Sequence, residues 1–203
     1  ETDGKNANNC NPVELAAVPI DPKSLEIKRE KGFKATIRPD GIDKEEYFTD
    51  DRKKTIEWHA QQRGVSSDDI IDLWKSGQSE KIVWKNFCKY CQRYNIDKAP
   101  GQWYTEPIPA GYNIIGYDLK ISLSTVTKLD IMDLMWYWFE NLEEPRNFRL
   151  DTFREFFGME AEQAHEAFSD VIDEAKLLVQ FLKFHRRQAS IGKFKGAFAN
   201  ENV

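Results

Sequence analysis

Cysteine is scarce in this chain. Cys10, Cys88 and Cys91 are its only three, an odd number without the spacing of a disulfide framework. That usage fits a reducing compartment, so the cytoplasm or another reducing intracellular space is the expected location. No apolar run approaches the ~18 residues of a membrane span, and the polar, acidic first residues do not read as a signal peptide; no membrane partner is expected. Positive charge is also short. Lys and Arg number 29 against 34 Asp and Glu, a net charge of -5, which excludes a simple basic coat for nucleic acid. An acidic balance still suits a protein that holds divalent cations, because such ions need clustered carboxylates. No internal repeat is evident.

Hydrophobic residues make up 40% of the chain and charged residues 31%, the balance of an ordinary globular protein. At 203 residues one domain is the default. The 13 Phe, 6 Trp and 7 Tyr fit a large core and equally fit stacking on bases. Residues 1–11 read as a loop. Strands are expected over Val13–Ile20, Ser24–Arg29 and Phe33–Arg38, the last two as a hairpin about Lys31-Gly32. Thr49 or Asp50 caps a helix to about Gln62, closed by Gly64; Ser66 to Asp69 caps another, stopped by Gly77. Ser79–Tyr94 repeats apolar residues near helical spacing. Residues 98–110, with three prolines, form a loop, and Asp118–Leu123 reads as a short helix. Asp130 caps an apolar helix to Glu140, and Thr152 with Glu155 fits a capping box before Gly158. A last amphipathic helix runs from about His165 to Arg187. The pattern is α/β or α+β in a single domain over residues 1–187, followed by a polar tail over 188–203.

Three stretches carry candidate chemistry. Glu1-Thr2-Asp3-Gly4 opens the chain, Gly111-Tyr112-Asn113 leads to Tyr117-Asp118, and His165 precedes Asp170 by five residues. In a regular helix that spacing leaves the two side chains about 140° apart. The pair makes sense with Asp170 in the first turns and His165 on the incoming segment, free to bend over the site. Glu1, Asp118 and Asp170 offer oxygen ligands for a hard divalent cation such as Mg2+ or Mn2+, and His165 suits a general base.

In this order and spacing the three stretches resemble the DEDDh group of 3′-to-5′ exonucleases, which includes the proofreading subunit of bacterial DNA polymerase. The resemblance spans nearly the whole chain. It implies a ribonuclease-H-like fold: a mixed sheet of about five strands, the first three antiparallel, flanked by helices. It also implies metal ligands at Glu1, Asp118 and Asp170, two divalent cations (Mg2+ or Mn2+), and His165 as general base. Thr2 would contact the terminal nucleotide through its backbone, while Asn113 and Tyr117 belong to the substrate pocket. In the family an Asp two positions before this Glu ends a central strand, so a further strand is expected upstream of Glu1. The implied activity is release of nucleoside monophosphates from single-stranded or frayed DNA 3′ ends, with a DNA polymerase or replication complex as partner. Two alternatives stand beside it: the same chemistry on short RNA, and a silent family member that binds nucleic acid or a polymerase.

Blander readings cover the remaining candidates. His59 and His185 read as ordinary surface or helix residues, and Asp133 and Asp173 as solvent-facing. Glu14 lies in a strand and could be near the site, but a strand's polar face is the reading preferred. Cys88 and Cys91 have half the spacing of a zinc site, but without a second pair they read as buried helix cysteines. Trp103 and Tyr104 either stack on bases or dock on the core. The basic run of Lys183, Arg186, Arg187, Lys193 and Lys195 either follows a nucleic-acid backbone or forms a solvated helix end.

Overall fold

The computed structural model describes residues 1–6, 9–97, 106–114, 128–159 and 166–192. Among them the order is β1 (Glu14–Ala17), β2 (Phe33–Arg38), α1 (Asp50–Arg63), α2 (Ser67–Ser76), β3 (Gln78–Ser79), α3 (Glu80–Gln92), β4 (Ala110–Gly111), β5 (Leu129–Asp130), α4 (Ile131–Phe139), α5 (Leu150–Phe156) and α6 (Ala167–Ile191). The mixed α/β character is as expected. The single five-stranded sheet is not: the described strands form one sheet in the order β1-β2-β3 and a separate pair, β4-β5.

Strand pairing differs from the expected hairpin for a local reason. The Asp21 carboxylate accepts the N–H groups of Lys23 and Ser24 at 2.9 and 2.7 Å, folding the chain into a turn. Leu25 then takes a left-handed φ of 60°, so Ser24–Arg29 contributes one isolated bridge, Ile20 to Ile27. The antiparallel partner of β2 is β1, with Glu14 opposite Thr36 and Ala17 opposite Phe33. β3 joins the other edge of β2 in parallel. Gly77 permits that join, because a Cβ there would stand 2.8 to 2.9 Å from backbone atoms of Thr36, Ile37 and Arg38.

Helix ends follow their caps. Thr49 Oγ1 accepts the Arg52 N–H at 3.4 Å, and Gly64 closes α1 at φ 64°. Ser66 and Asp69 cap α2 reciprocally, and the Asp130 carboxylate accepts the Met132 N–H at 3.0 Å to start α4. Thr152 does not cap α5, which begins two residues earlier. Its hydroxyl instead donates to Asn147 Oδ1 at 2.6 Å, an atom that also accepts the Arg149 N–H. In α3 the buried face is Val83, Phe87 and Tyr90. That leaves Cys88 exposed and Cys91 half-buried rather than in the core.

Two apolar clusters hold the elements. Val13, Ile42, Tyr47, Ile56, Ile70 and Trp74 fill the space about α1 and α2. Ile131, Met135, Phe153, Leu177, Leu178 and Phe181 join α4, α5 and α6. Each such side chain contributes about 1.5–3 kcal/mol on burial. α6 also packs on β1 and β2, and it continues to Ile191, past the expected domain end. Among the described residues no helix is long and apolar enough to cross a membrane.

Candidate active site

The first residues lie along β1. The Glu1 backbone nitrogen donates to the Glu14 carbonyl at 2.9 Å, and the Asp3 N–H donates to the Asn11 carbonyl at 3.0 Å. Two successive N–H groups, of Val13 and Glu14, converge on the Glu1 carbonyl at 2.9 and 3.3 Å. That is the hydrogen-bond pattern of a β-bulge, a device that re-aims side chains. The Asp3 side chain locks this segment in place. It is fully buried and accepts from the Asn11 backbone (2.6 Å), the Asn11 amide (2.7 Å) and the Tyr47 hydroxyl (2.7 Å). Arg52 Nε lies 3.2 Å away and supplies the counter-charge, so the carboxylate is satisfied where an unpaired one would be costly.

Glu14 connects this segment to α6. Its Oε1 accepts from Arg63 Nη1 at 2.7 Å, and its Oε2 from the Ala167 N–H at 3.4 Å. Burial raises its pKa, but the hydrogen bond and charge of Arg63, with the Ala167 N–H, outweigh that and hold it below the usual carboxylate range. The carboxylate therefore stays ionised at a helix N-terminus, where an anion is favoured. Glu14 was expected on a strand's polar face rather than near the site; it is buried, because it serves two elements at once.

Asp170 sits one turn into α6 from Ala167. Its Oδ1 accepts from Arg154 Nη2 at 2.5 Å. The same buried guanidinium donates through Nε to Asp173 at 2.9 Å and through Nη1 to Asp151 at 2.8 Å. Asp173 is consequently buried rather than solvent-facing, at 3% exposure, and Lys176 Nζ donates to its other oxygen. Asp133 is exposed, as expected.

The second stretch begins beside α6, against which β4 packs. Asn113 has a left-handed φ of 55°. Its N–H donates to Asp130 Oδ1 at 2.9 Å, so one carboxylate oxygen holds both this turn and the start of α4. The Tyr112 hydroxyl donates to the Phe148 carbonyl at 2.7 Å. Tyr117, Asp118 and His165 lie outside the described residues, as do Trp103, Tyr104, Lys193 and Lys195. Of the expected site residues, Glu1 is thus tied to the Glu14 backbone, Thr2 to His59, and Asp170 lies in the first turn of α6, whose Ala167 N–H meets the Glu14 carboxylate, while Asn113 follows β4.

Glu1 and Asp170 fit a cation in kind. The Glu1 side chain is half-buried and has no hydrogen-bond partner among the described residues. Asp170 keeps 18% of its side chain exposed, and both are oxygen donors suited to a hard divalent ion. Among the described residues no cluster of three ligating side chains forms.

His59 lies in α1, so of its reading as a surface or helix residue only the surface part fails. It is 2% exposed, with its ring against Trp58 and Trp74. Its Nε2 donates to the Thr2 carbonyl at 3.2 Å, which fixes the tautomer, and its Nδ1 has no partner among the described residues. Burial pushes its pKa down to about 4. His185 is half-buried and accepts from Trp138 Nε1 at 3.0 Å. Spacing could have revealed both His59 and Arg154. His59 follows Thr55 and Ile56 by four and three residues, on the buried stripe of α1. Arg154 falls four after Leu150 and three before Phe157, in the apolar stripe of α5. An ionisable residue in such a stripe marks a buried partner.

No protein-family model matches the chain, and no curated protein matches it. Among solved structures, the crystal structure of cell-death related nuclease 4 (CRN-4) superimposes with a TM-score of 0.62 at 12% identity, covering 91% of this chain and 62% of that one. At that identity the likeness is one of fold, and this chain spans less than two thirds of that protein's length.

Proposed function

We propose that the chain is a metal-dependent 3′-to-5′ exonuclease of the DEDDh type, with a ribonuclease-H-like fold. It hydrolyses phosphodiester bonds at DNA 3′ ends and releases nucleoside monophosphates. The observation that carries this reading is at Glu14, whose carbonyl accepts from the Glu1 nitrogen and whose carboxylate accepts from the Ala167 N–H at the start of α6. The likeness of fold to a nuclease supports it.

In this reading Glu1, Asp118 and Asp170 hold two divalent cations, Mg2+ or Mn2+. Such ions supply charge that stabilises the attacking and leaving oxygens of the displacement. His165 takes the proton from the attacking water. The Thr2 backbone, buttressed by His59, contacts the terminal nucleotide, with Asn113 and Tyr117 in the pocket beside it. A single-stranded or frayed end is the substrate, because the terminal nucleotide must enter a closed pocket. A DNA polymerase or replication complex is the partner, and a reducing intracellular compartment the location.

A second reading draws on Arg154. An ion pair already on Asp170 favours a silent relative that binds nucleic acid without cutting it. A 5′-labelled single strand, as DNA and as RNA, incubated with Mg2+ or Mn2+ separates the two. The exonuclease reading expects a ladder shortening from the 3′ end, abolished by chelator and by His165→Ala. Intact strands under every condition contradict it, and tight binding without cleavage gives the second reading. Faster RNA than DNA degradation moves the substrate to RNA.

A further inference from the structure

A cavity of about 640 Å³ opens between the start of β2 and the C-terminal half of α3. Its helical side carries Asn86, Lys89, Tyr90 and Arg93, which recur at i, i+3, i+4 and i+7 and so share one face. Its other side is Lys31, Gly32 and Phe33. The wall is aromatic and already assembled: Phe33 and Tyr90 have ring centroids 5.4 Å apart, as do Tyr90 and Tyr94. Lys31, Lys89 and Arg93 rim it against a single acid, Glu30. All three cations are exposed, and among the described residues none forms an ion pair. In a chain of net charge -5, a patch of three cations against one acid over aromatic rings runs against the average.

The cavity also adjoins the candidate active site. Gly32 lines it and lies so close to Phe168 that a Cβ at Gly32 would overlap the Phe168 ring. Lys34, one residue beyond Phe33, pairs with Glu166. Glu166 and Phe168 flank Ala167, the residue bound to Glu14, in the turn that carries Asp170.

We propose that this cavity is a second nucleic-acid subsite, which takes an internal nucleotide of the single strand whose 3′ end is held at Glu1 and Asp170. Lys31, Lys89 and Arg93 take the phosphates, and Phe33, Tyr90 and Tyr94 form the apolar wall for the base. Rings offer every base a π-face, so the subsite is tolerant of sequence. The inference rests on the exonuclease reading for the direction of the strand, but its test does not require cleavage.

Fluorescence anisotropy with labelled oligothymidylates of 3 and 12 nucleotides, in chelator, measures the increment in affinity that length supplies. The native chain binds the longer strand more tightly. The variant Lys31→Gln, Lys89→Gln, Arg93→Gln loses that increment, by about tenfold or more at low salt. Its plot of log affinity against log salt is shallower by about 2, from about 0.7 per phosphate on a single strand. Thermal melting verifies that the exposed substitutions leave the fold intact, and Lys89→Glu alone serves where the triple variant does not fold. An increment equal in native and variant chains overturns the proposal. Displacement of the 12-mer by adenosine 5′-monophosphate at equal nucleotide concentration also overturns it, in favour of a free-nucleotide site. A native chain that binds with a variant-sensitive increment yet never cleaves DNA or RNA keeps the subsite and removes the exonuclease reading alone.

Discussion

Arg154 Nη2 lies 2.5 Å from Asp170 Oδ1, so the carboxylate assigned to a cation already carries a counter-charge from α5. The same guanidinium neutralises Asp173, which is buried with it. Arg154→Met leaves Asp173 buried and short of its charge partner, and is expected to cost about 3–5 kcal/mol in denaturant unfolding. Asp151→Asn removes an exposed partner and is expected to cost about 1 kcal/mol or less. Similar stabilities for the two variants would show that Arg154 is not the pivot of this network.

His59 makes stability depend on pH above the carboxylate range. Its folded pKa of about 4 lies below the ordinary 6.5, so between those values the unfolded chain binds the extra proton. Its contribution is complete above pH 6.5 and is lost as pH falls toward 4, to a total on the order of 3 kcal/mol. Unfolding measured from pH 7 to pH 4 should show this slope in the native chain and a flatter one in His59→Gln. Equal slopes would mean that the imidazole titrates as it does in water.

Glu14 acts in a lower window. Its folded pKa is depressed below the ordinary 4.5, so its stabilisation is present above pH 4.5 and is lost as pH falls through the folded value. Glu14→Gln should therefore lose stability at pH 7 and show less further loss below pH 4.5. It should also weaken catalysis, because the start of α6 loses the charged acceptor that ties its Ala167 N–H to β1 and Arg63. A variant as stable and as active as the native chain would remove Glu14 from that role.

Asp130 holds the Asn113 turn and the N-terminus of α4 with one oxygen. Asp130→Ala is expected to cost about 1–3 kcal/mol, the loss of a cap and of a charge-assisted hydrogen bond. It should raise KM for a 3′ end more than it lowers kcat, since Asn113 is placed beside the substrate. A kcat effect alone would separate Asp130 from the pocket.

Local chemistry made much of the fold legible. The capping residues Thr49, Ser66 and Asp130 and the stops Gly64 and Gly158 read directly, because each acts on its own neighbours. The sheet did not, because Ser24–Arg29 has strand-like composition while the Asp21 carboxylate bends it into a turn. The candidate site was legible only where local motifs carry it. Glu1 and Asp170 stand in recognisable stretches, but Glu14, Arg63, Arg154 and His59 act through partners 16 to 153 residues away. Such partners lie too far along the chain for local spacing to reveal them.

The central claim is that Glu1, Asp118 and Asp170 share one divalent-cation site. Calorimetric titration of Mn2+ into the native chain and into Glu1→Gln, Asp118→Asn and Asp170→Asn tests it without substrate. Two ions per native chain are expected, with affinity weakened about tenfold or more by each substitution. Equal Mn2+ binding in all four proteins, or none in the native chain, would contradict it.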